Sequence, residues 1–466
     1  MTIGALAPDT SPDGVIAHVA RWIDPMPGDA VVLVACSGGP DSTALAVLVR
    51  AARPDLRPVL AYVAHGLRTP ADDQHESRTV ARLAESLAVD HVVLPVTVVR
   101  SGRGTEADAR VARHAALEEE TVQLGAHAVL LGHHAEDQAE TVLLRLARGA
   151  GSDGLAAMAP VAGPRVRPLL DLRRADVHRA ARSIAPDLMA RATHDPMNDD
   201  PAFTRVRARR DVLPLLATLG PDPVGALTRT AALARDEVTV LDAAVDTLLL
   251  RTPAVRVGPA TAVPSEALRT APAAVARRLV RRLLGPSDAA SVERFLVAPD
   301  GWRATLPGPV DATVGRGWHV LRPATSAGPD LLVEAAFTPA PHAPAEVEHH
   351  ASSLRLRGHL VAAGALTHLH LHVVGNAPLP PGLLPSRRAA RLRRTGGVDG
   401  PLTVRTRRPG DRIRLAGGTR TLADLMGEAG VPRPLRDLLP VVVDVEGRPR
   451  WVPGLAVDVT VHDPVA

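Results

Sequence analysis

The chain has 466 residues, 46% hydrophobic and 22% charged, which is enough apolar material for two or three buried cores in an ordinary folded protein. It contains no lysine, so all 54 basic side chains are arginines, and the formal net charge of +4 permits a nucleic-acid partner without demanding one. No basic-then-apolar stretch opens the chain and no apolar run is long enough to span a bilayer, so no membrane attachment is expected and a cytoplasmic location follows by elimination.

Residues 31–35, 58–65, 91–98 and 127–134 are short apolar runs that read as buried strands. Between them, residues 43–52, 73–88, 106–124 and 136–148 read as helices. Thr105, with Asp108 three residues on, has the form of a capping box. Such alternation predicts an α/β fold, a parallel Rossmann-like sheet with helices on both faces, whose ligands bind beyond the C-terminal strand ends. Residues 213–284 turn helical, with Arg277, Arg278, Arg281 and Arg282 at polar positions. Residues 339–344 look like a linker, residues 354–356 and 368–374 alternate like strands, and residues 402–459 form a last compact unit. The expected division is 1–212, 213–337 (largely helical), 338–401 (linker and variable region) and 402–466 (small, mixed α/β).

The run Ser37-Gly38-Gly39-Pro40-Asp41-Ser42 joins the first strand to the first helix. Its glycines let the backbone approach a ligand closely and take angles other residues avoid. The free N–H groups and dipole of the helix start attract an anion. Ser37, Ser42 and Thr43 add hydroxyl donors. Asp41 would repel a phosphate unless a cation lay between them, and a Mg²⁺ ion bridging Asp41 and pyrophosphate resolves that conflict. A glycine loop ending in Gly-Lys-Ser/Thr is excluded, because there is no lysine. The plainer alternative is an ordinary strand–turn–helix with an acid in its first turn. Cys36, the single cysteine, reads as a small buried hydrophobe, and alone it excludes an intramolecular disulfide or a multi-cysteine metal centre.

Glu136, Asp137 and Glu140 open the helix after the fourth strand, and Asp137 and Glu140 share a face. Acids in a first turn can simply complement the helix dipole; at the ligand edge of a sheet they can also bind a cation or take a proton. His133 and His134 could join Asp137 as metal ligands, but zinc needs three or four converging ligands and no others are evident. Packing at a strand end or a place near the nucleotide fits them, and His65, better. Phe203-Thr204-Arg205-Val206-Arg207-Ala208-Arg209-Arg210 is a dense cationic patch, either a phosphate contact or a solvated helix face. Arg387, Arg388, Arg391, Arg393 and Arg394 form another.

Ser-Gly-Gly-x-Asp-Ser after a first strand resembles the signature of the PP-loop, or N-type, ATP pyrophosphatases. That resemblance implies ATP as cofactor, cleaved between its α- and β-phosphates. Three further segments narrow it: Val63-Ala64-His65-Gly66-Leu67-Arg68, Leu131-Gly132-His133-His134-Ala135-Glu136-Asp137-Gln138-Ala139-Glu140-Thr141, and Asp195-Pro196-Met197-Asn198-Asp199-Asp200 with Phe203, Arg205 and Arg209. In this order they resemble the tRNA(Ile)-lysidine synthase family, closely over residues 30–215. Arg408-Pro409-Gly410-Asp411-Arg412 and Trp451-Val452-Pro453-Gly454 resemble its small terminal domain. The resemblance implies adenylation of the wobble cytidine of a tRNA(Ile) with a CAU anticodon, then attack by the ε-amine of free L-lysine. By the same resemblance, residues 1–212 are the catalytic domain, while residues 213–337 and 402–466 contact tRNA. It also implies catalytic roles for Asp41, His133, Asp137, Glu140 and Arg205, nucleotide binding by Ser37 to Ser42 and His65, and Mg²⁺ on Asp41. A homodimer is compatible with all of this.

The chain departs from the family pattern at Ala64 (usually Asp or His), Glu136 (Asp), Met197 (Ser) and Val206 (Asn). A PP-loop tRNA thiolase would need cysteines beyond Cys36. A small-molecule amide ligase would not use the basic patches or the C-terminal unit. A tRNA-binding protein with a decayed site would not keep the intact loop with Asp137 and Glu140.

Overall fold

The computed structural model describes residues 9–64, 70–100, 104–193, 200–257, 259–285, 288–324, 335–337, 345–349, 354–363, 366–373, 379, 383–384, 389–393 and 402–462. The chain divides into two compact units, Met1–Thr239 and Val240–Ala466.

The first unit is built on α1 (Pro12–Ile23), β1 (Val31–Ala35), α2 (Pro40–Ala52), β2 (Arg57–Ala64), α3 (Pro70–Leu87), β3 (Asp90–Pro95), α4 (Thr105–Gln123), β4 (Ala128–Leu130), α5 (Ala135–Leu146), α6 (Ser152–Leu155), β5 (Val161–Ala162), β6 (Arg165–Val166) and α7 (Arg174–Ile184). Its six-stranded sheet has the order β3-β2-β1-β4-β6-β5. All neighbours are parallel except β5 against β6. The expected strands and helices appear within a few residues of their read positions. The capping box does not: Gly104 takes the N-cap of α4 with no side-chain cap, and Thr105 is already inside the helix.

The central strands β1, β2 and β4 are apolar on both faces because both are covered. Val32, Val34 and Leu60 pack with Leu45 and Leu48 of α2, Val19 of α1 and Val177 of α7. Leu33, Val59 and Val129 face the other way, onto Leu117 of α4. β1 lies between β2 and β4, so the chain turns back across the sheet beyond the C-terminal ends of β1 and β4, the crevice where open α/β sheets bind ligands.

The second unit begins within the helix Pro223–Arg251 and continues through the helices Ser265–Thr270, Ala273–Leu284 and Ala289–Leu296. The expected arginines on Ala273–Leu284 do lie on a polar face; Arg278 and Arg282 pair with Asp242 and Asp246. Sequence reading misses a five-stranded sheet formed by strands at 255–257, 260–264, 303–306, 310–315 and 318–323, so this middle region is helical only in part. Strands at 345–349, 354–363, 366–373 and 389–393 make a four-stranded antiparallel sheet where a linker and variable region were expected; residues 339–344 lie outside the described residues. Strands at 402–406, 440–443, 449–452 and 456–457 carry the terminal mixed unit, around Trp451 and buried Arg450 held by Asp444 and Asp458. No described helix is long and apolar enough to cross a membrane.

Candidate active site

The loop after β1 is closed by its own side chains. Ser42 Oγ accepts from the Ser37 N–H at 3.3 Å and donates to the Gly39 carbonyl at 3.0 Å. Gly39 is the N-cap of α2 and Pro40 its first residue, where the absent N–H costs nothing. Gly38 has φ +80°, and a Cβ there would lie 3.2 Å from Thr193 Oγ1 and 3.3 Å from Thr79 Cγ2. Both the backbone angle and the space therefore require glycine. Thr193 in turn donates its N–H to the Gly38 carbonyl at 2.9 Å. Cys36, behind the loop, is buried, and burial pushes its thiol pKa up, as expected of an inert packing residue.

Gly132, just after β4, approaches the same loop from the side. A Cβ on it would sit 3.1 Å from the Asp41 carbonyl oxygen and 3.4 Å from Ser42 Cα. The starts of α2 and α5 are thereby brought together.

His134 is the N-cap of α5, and its N–H donates to Asp137 Oδ2 at 3.0 Å. Its ring lies among three carboxylates. Nδ1 is 3.0 Å from Glu136 Oε2, while Nε2 is 3.5 Å from Asp137 Oδ2 and 3.6 Å from Asp41 Oδ2. Burial opposes the charged ring, but the carboxylates of Asp137, Asp41 and Glu136 outweigh it and raise the His134 pKa to about 10. For Glu136 the order is the same: burial favours the neutral acid, yet His134, the Arg174 N–H and Arg173 hold its pKa at about 2. Asp41 and Asp137 are also held below the usual carboxylate range, against burial, by these histidines and arginines. His133 behaves oppositely. Burial dominates, with Arg167, Arg110 and Arg205 adding to it, and its pKa falls to about 3 despite Asp137. His133 is thus a neutral ring, and its Nδ1 is buried without a protein hydrogen-bond partner.

Asp41 also receives α7. Arg174 Nε donates to its Oδ1 at 2.9 Å, and His178 Nε2 is 2.7 Å from the same oxygen. Glu136 closes the ring by accepting from the Arg174 N–H at 2.9 Å and from Arg173 Nε at 2.8 Å. Three helix N-termini, of α2, α5 and α7, therefore meet around Asp41, His134 and Glu136, and their dipoles favour anions there.

One turn along α5, Glu140 is fully buried. Its two oxygens accept from Arg205 Nε at 3.0 Å and Arg209 Nε at 2.6 Å. Arg205 also lies 3.9 Å from Asp137 Oδ1. The two arginines sit on a helical run, Thr204–Arg207 followed by the π-helical turn Ala208–Val212. Val206 points inward, 5% exposed, so the apolar residue there serves packing.

Of the residues read from the sequence, the structure brings Ser37 to Ser42, Asp41, Asp137, Glu140 and Arg205 to one place. His65, Met197 and the rest of residues 194–199 lie outside the described residues. His134, rather than His133, touches Asp41. Among the described residues no group of three or more His, Cys, Asp or Glu side chains is arranged to hold a metal ion. Arg173, Arg174 and His178 were not anticipated. One signal was present: two arginines in the first turn of a helix run against its dipole and need nearby carboxylates.

Residues 15–216 match the family described as PP-loop domain, and residues 402–464 match the one described as TilS substrate C-terminal domain. The curated tRNA(Ile)-lysidine synthase of Thermobifida fusca (strain YX) is 45% identical over 268 residues, covering 57% of this chain and 80% of that protein. That of Streptomyces coelicolor (strain ATCC BAA-471 / A3(2) / M145) is 42% identical over 316 residues, covering 64% and 86%. That of Nocardia farcinica (strain IFM 10152) is 41% identical over 317 residues, covering 66% and 93%. With these residues in place and these relatives spanned over most of their length, the chain belongs to the tRNA(Ile)-lysidine synthase family.

Proposed function

We propose that this enzyme is an ATP-dependent ligase that joins free L-lysine to the wobble cytidine of a CAU-anticodon tRNA(Ile), in the cytoplasm. The observation that carries the reading is the meeting of the phosphate loop with the acidic start of α5 at the sheet's switch point. An anion-binding loop and a carboxylate cluster for a cationic amine stand side by side. In the reaction the cytidine carbonyl oxygen attacks the α-phosphorus of ATP and pyrophosphate leaves. The lysine ε-amine then attacks the activated carbon, loses a proton, and AMP leaves.

Ser37 to Ser42 cradle the phosphates through backbone N–H groups and hydroxyls. Asp41, a carboxylate at the mouth of the phosphate loop, would hold Mg²⁺, and the ion when bound would supply charge neutralisation at the phosphates. Asp137, partly exposed and close to the crevice, is the carboxylate available to the lysine ammonium. Glu140 is already committed to two guanidiniums, so its part is to hold Arg205 and Arg209 toward anionic substrate groups. His134 ties Asp41, Glu136 and Asp137 into one unit, and neutral His133 offers a hydrogen-bonding position to substrate. A homodimer is a separate proposal, checked by sedimentation of the purified chain.

The test is incubation of the full chain with ATP, Mg²⁺, labelled lysine and the CAU-anticodon tRNA(Ile). Label should enter the tRNA as AMP and pyrophosphate form. An unlabelled tRNA, with a relative active in a parallel tube, would sink the reading.

A further inference from the structure

Arg174 and His178 lie one turn apart on α7, at the mouth of the phosphate loop. Both address the same oxygen of Asp41, at 2.9 Å and 2.7 Å. An ionised carboxylate only accepts, so His178 presents Nε2–H to it. The other Asp41 oxygen faces the ring of His134 at 3.6 Å. One carboxylate oxygen thus takes both α7 donors, while the other lies beyond hydrogen-bond distance of His134. Arg174 is 36% exposed and Asp41 32%, so the pair opens toward the crevice and is not locked in the core.

Two donors on one oxygen, beside the free N–H groups of a helix start, is also the arrangement a phosphoryl oxygen takes. We propose that Arg174 and His178 are pyrophosphate-binding residues, parked on Asp41 in the free protein and passed to the β- and γ-phosphoryl oxygens when the nucleotide enters. The exchange releases Asp41 for the cation that accompanies the nucleotide. It costs little, because each donor trades one charged acceptor for another. The inference rests on the assignment of ATP to the loop. The competing account is a clip that merely fastens α7 to α2.

Calorimetric titration of the full-length chain with pyrophosphate, α,β-methylene-ATP and AMP separates the two. Arg174→Gln and His178→Phe should each weaken pyrophosphate and the ATP analogue by about tenfold or more while AMP changes less than about twofold. Arg174→Lys, which keeps the charge, should recover most of the pyrophosphate affinity. In the absence of divalent metal, Asp41→Asn should tighten pyrophosphate binding several-fold by freeing both donors, and adding Arg174→Gln should cancel that gain. Unchanged pyrophosphate affinity in Arg174→Gln and His178→Phe overturns the proposal, as does a parallel loss of AMP binding, which a broken clip would produce. If the wild-type chain binds neither pyrophosphate nor the analogue, the ATP reading of the loop fails with it.

Discussion

Nδ1 of His134 lies 3.0 Å from Oε2 of Glu136, inside a helix-start cluster that also holds Asp41 and Asp137. The pair makes stability depend on pH in a direction that can be worked out. His134 is raised to about 10, so its protonation contributes fully below its ordinary value of 6.5 and is lost as pH rises through about 10. Glu136, lowered to about 2, contributes above its ordinary 4.5 and is lost as pH falls through about 2. Chemical denaturation should show the wild type losing on the order of 3 kcal/mol between pH 7 and 10, a loss much reduced in His134→Gln. The chain has no lysine, and Cys36 and Tyr62, both raised by burial, add the same alkaline loss to wild type and variant, so the difference between the two isolates His134. A variant with the same alkaline slope as wild type would refute the charged His134.

Glu140 is the anchor of Arg205 and Arg209. Glu140→Gln leaves both guanidiniums short of a charge partner, at a cost of roughly 2–4 kcal/mol, somewhat below that of a wholly buried pair because the arginines reach water. Ligation should fall at least as far as in Arg205→Ala. Stability within about 0.5 kcal/mol of wild type would show that the triad is not holding the site.

Asp41→Ala should abolish turnover, measured as pyrophosphate release, and leave tRNA affinity within a few-fold of wild type. If tRNA binding disappears with turnover, the loop has been given the wrong substrate.

Gly132→Ala drives a methyl group to 3.1 Å from the Asp41 carbonyl, a backbone atom that cannot swing aside. The expected cost is about 1–2 kcal/mol in stability, with a raised KM for ATP and little change in tRNA affinity. A KM equal to wild type would mean that α2 and α5 move independently.

Much of the first unit can be read in the sequence, because apolar strands and amphipathic helices alternate with few interruptions, and the phosphate loop names its own chemistry. The sheet at 255–323 is hidden: its strands are short, and alanine, proline and glycine blur the two-residue period. Within the site, Asp137, Glu140 and Arg205 were legible as residues, but not their pairing. Nothing in the spacing of Glu140 and Arg205, far apart along the chain, says that one will neutralise the other. Nor does it say that His134 will reach Asp41 while its half-buried neighbour His133 stays neutral. Such divisions of labour depend on which way a strand end points, and the side chains there alternate without any change in composition.

The cations that line the crevice, Arg173, Arg174, Arg205 and Arg209, are all guanidiniums, and a guanidinium does not give up its proton in water at any physiological pH. They can neutralise phosphate but cannot act as amine nucleophiles. A carbonyl activated as an adenylate in this crevice would therefore meet no primary amine from a side chain of the protein, and the first such group to reach it would be the one the enzyme admits from solution.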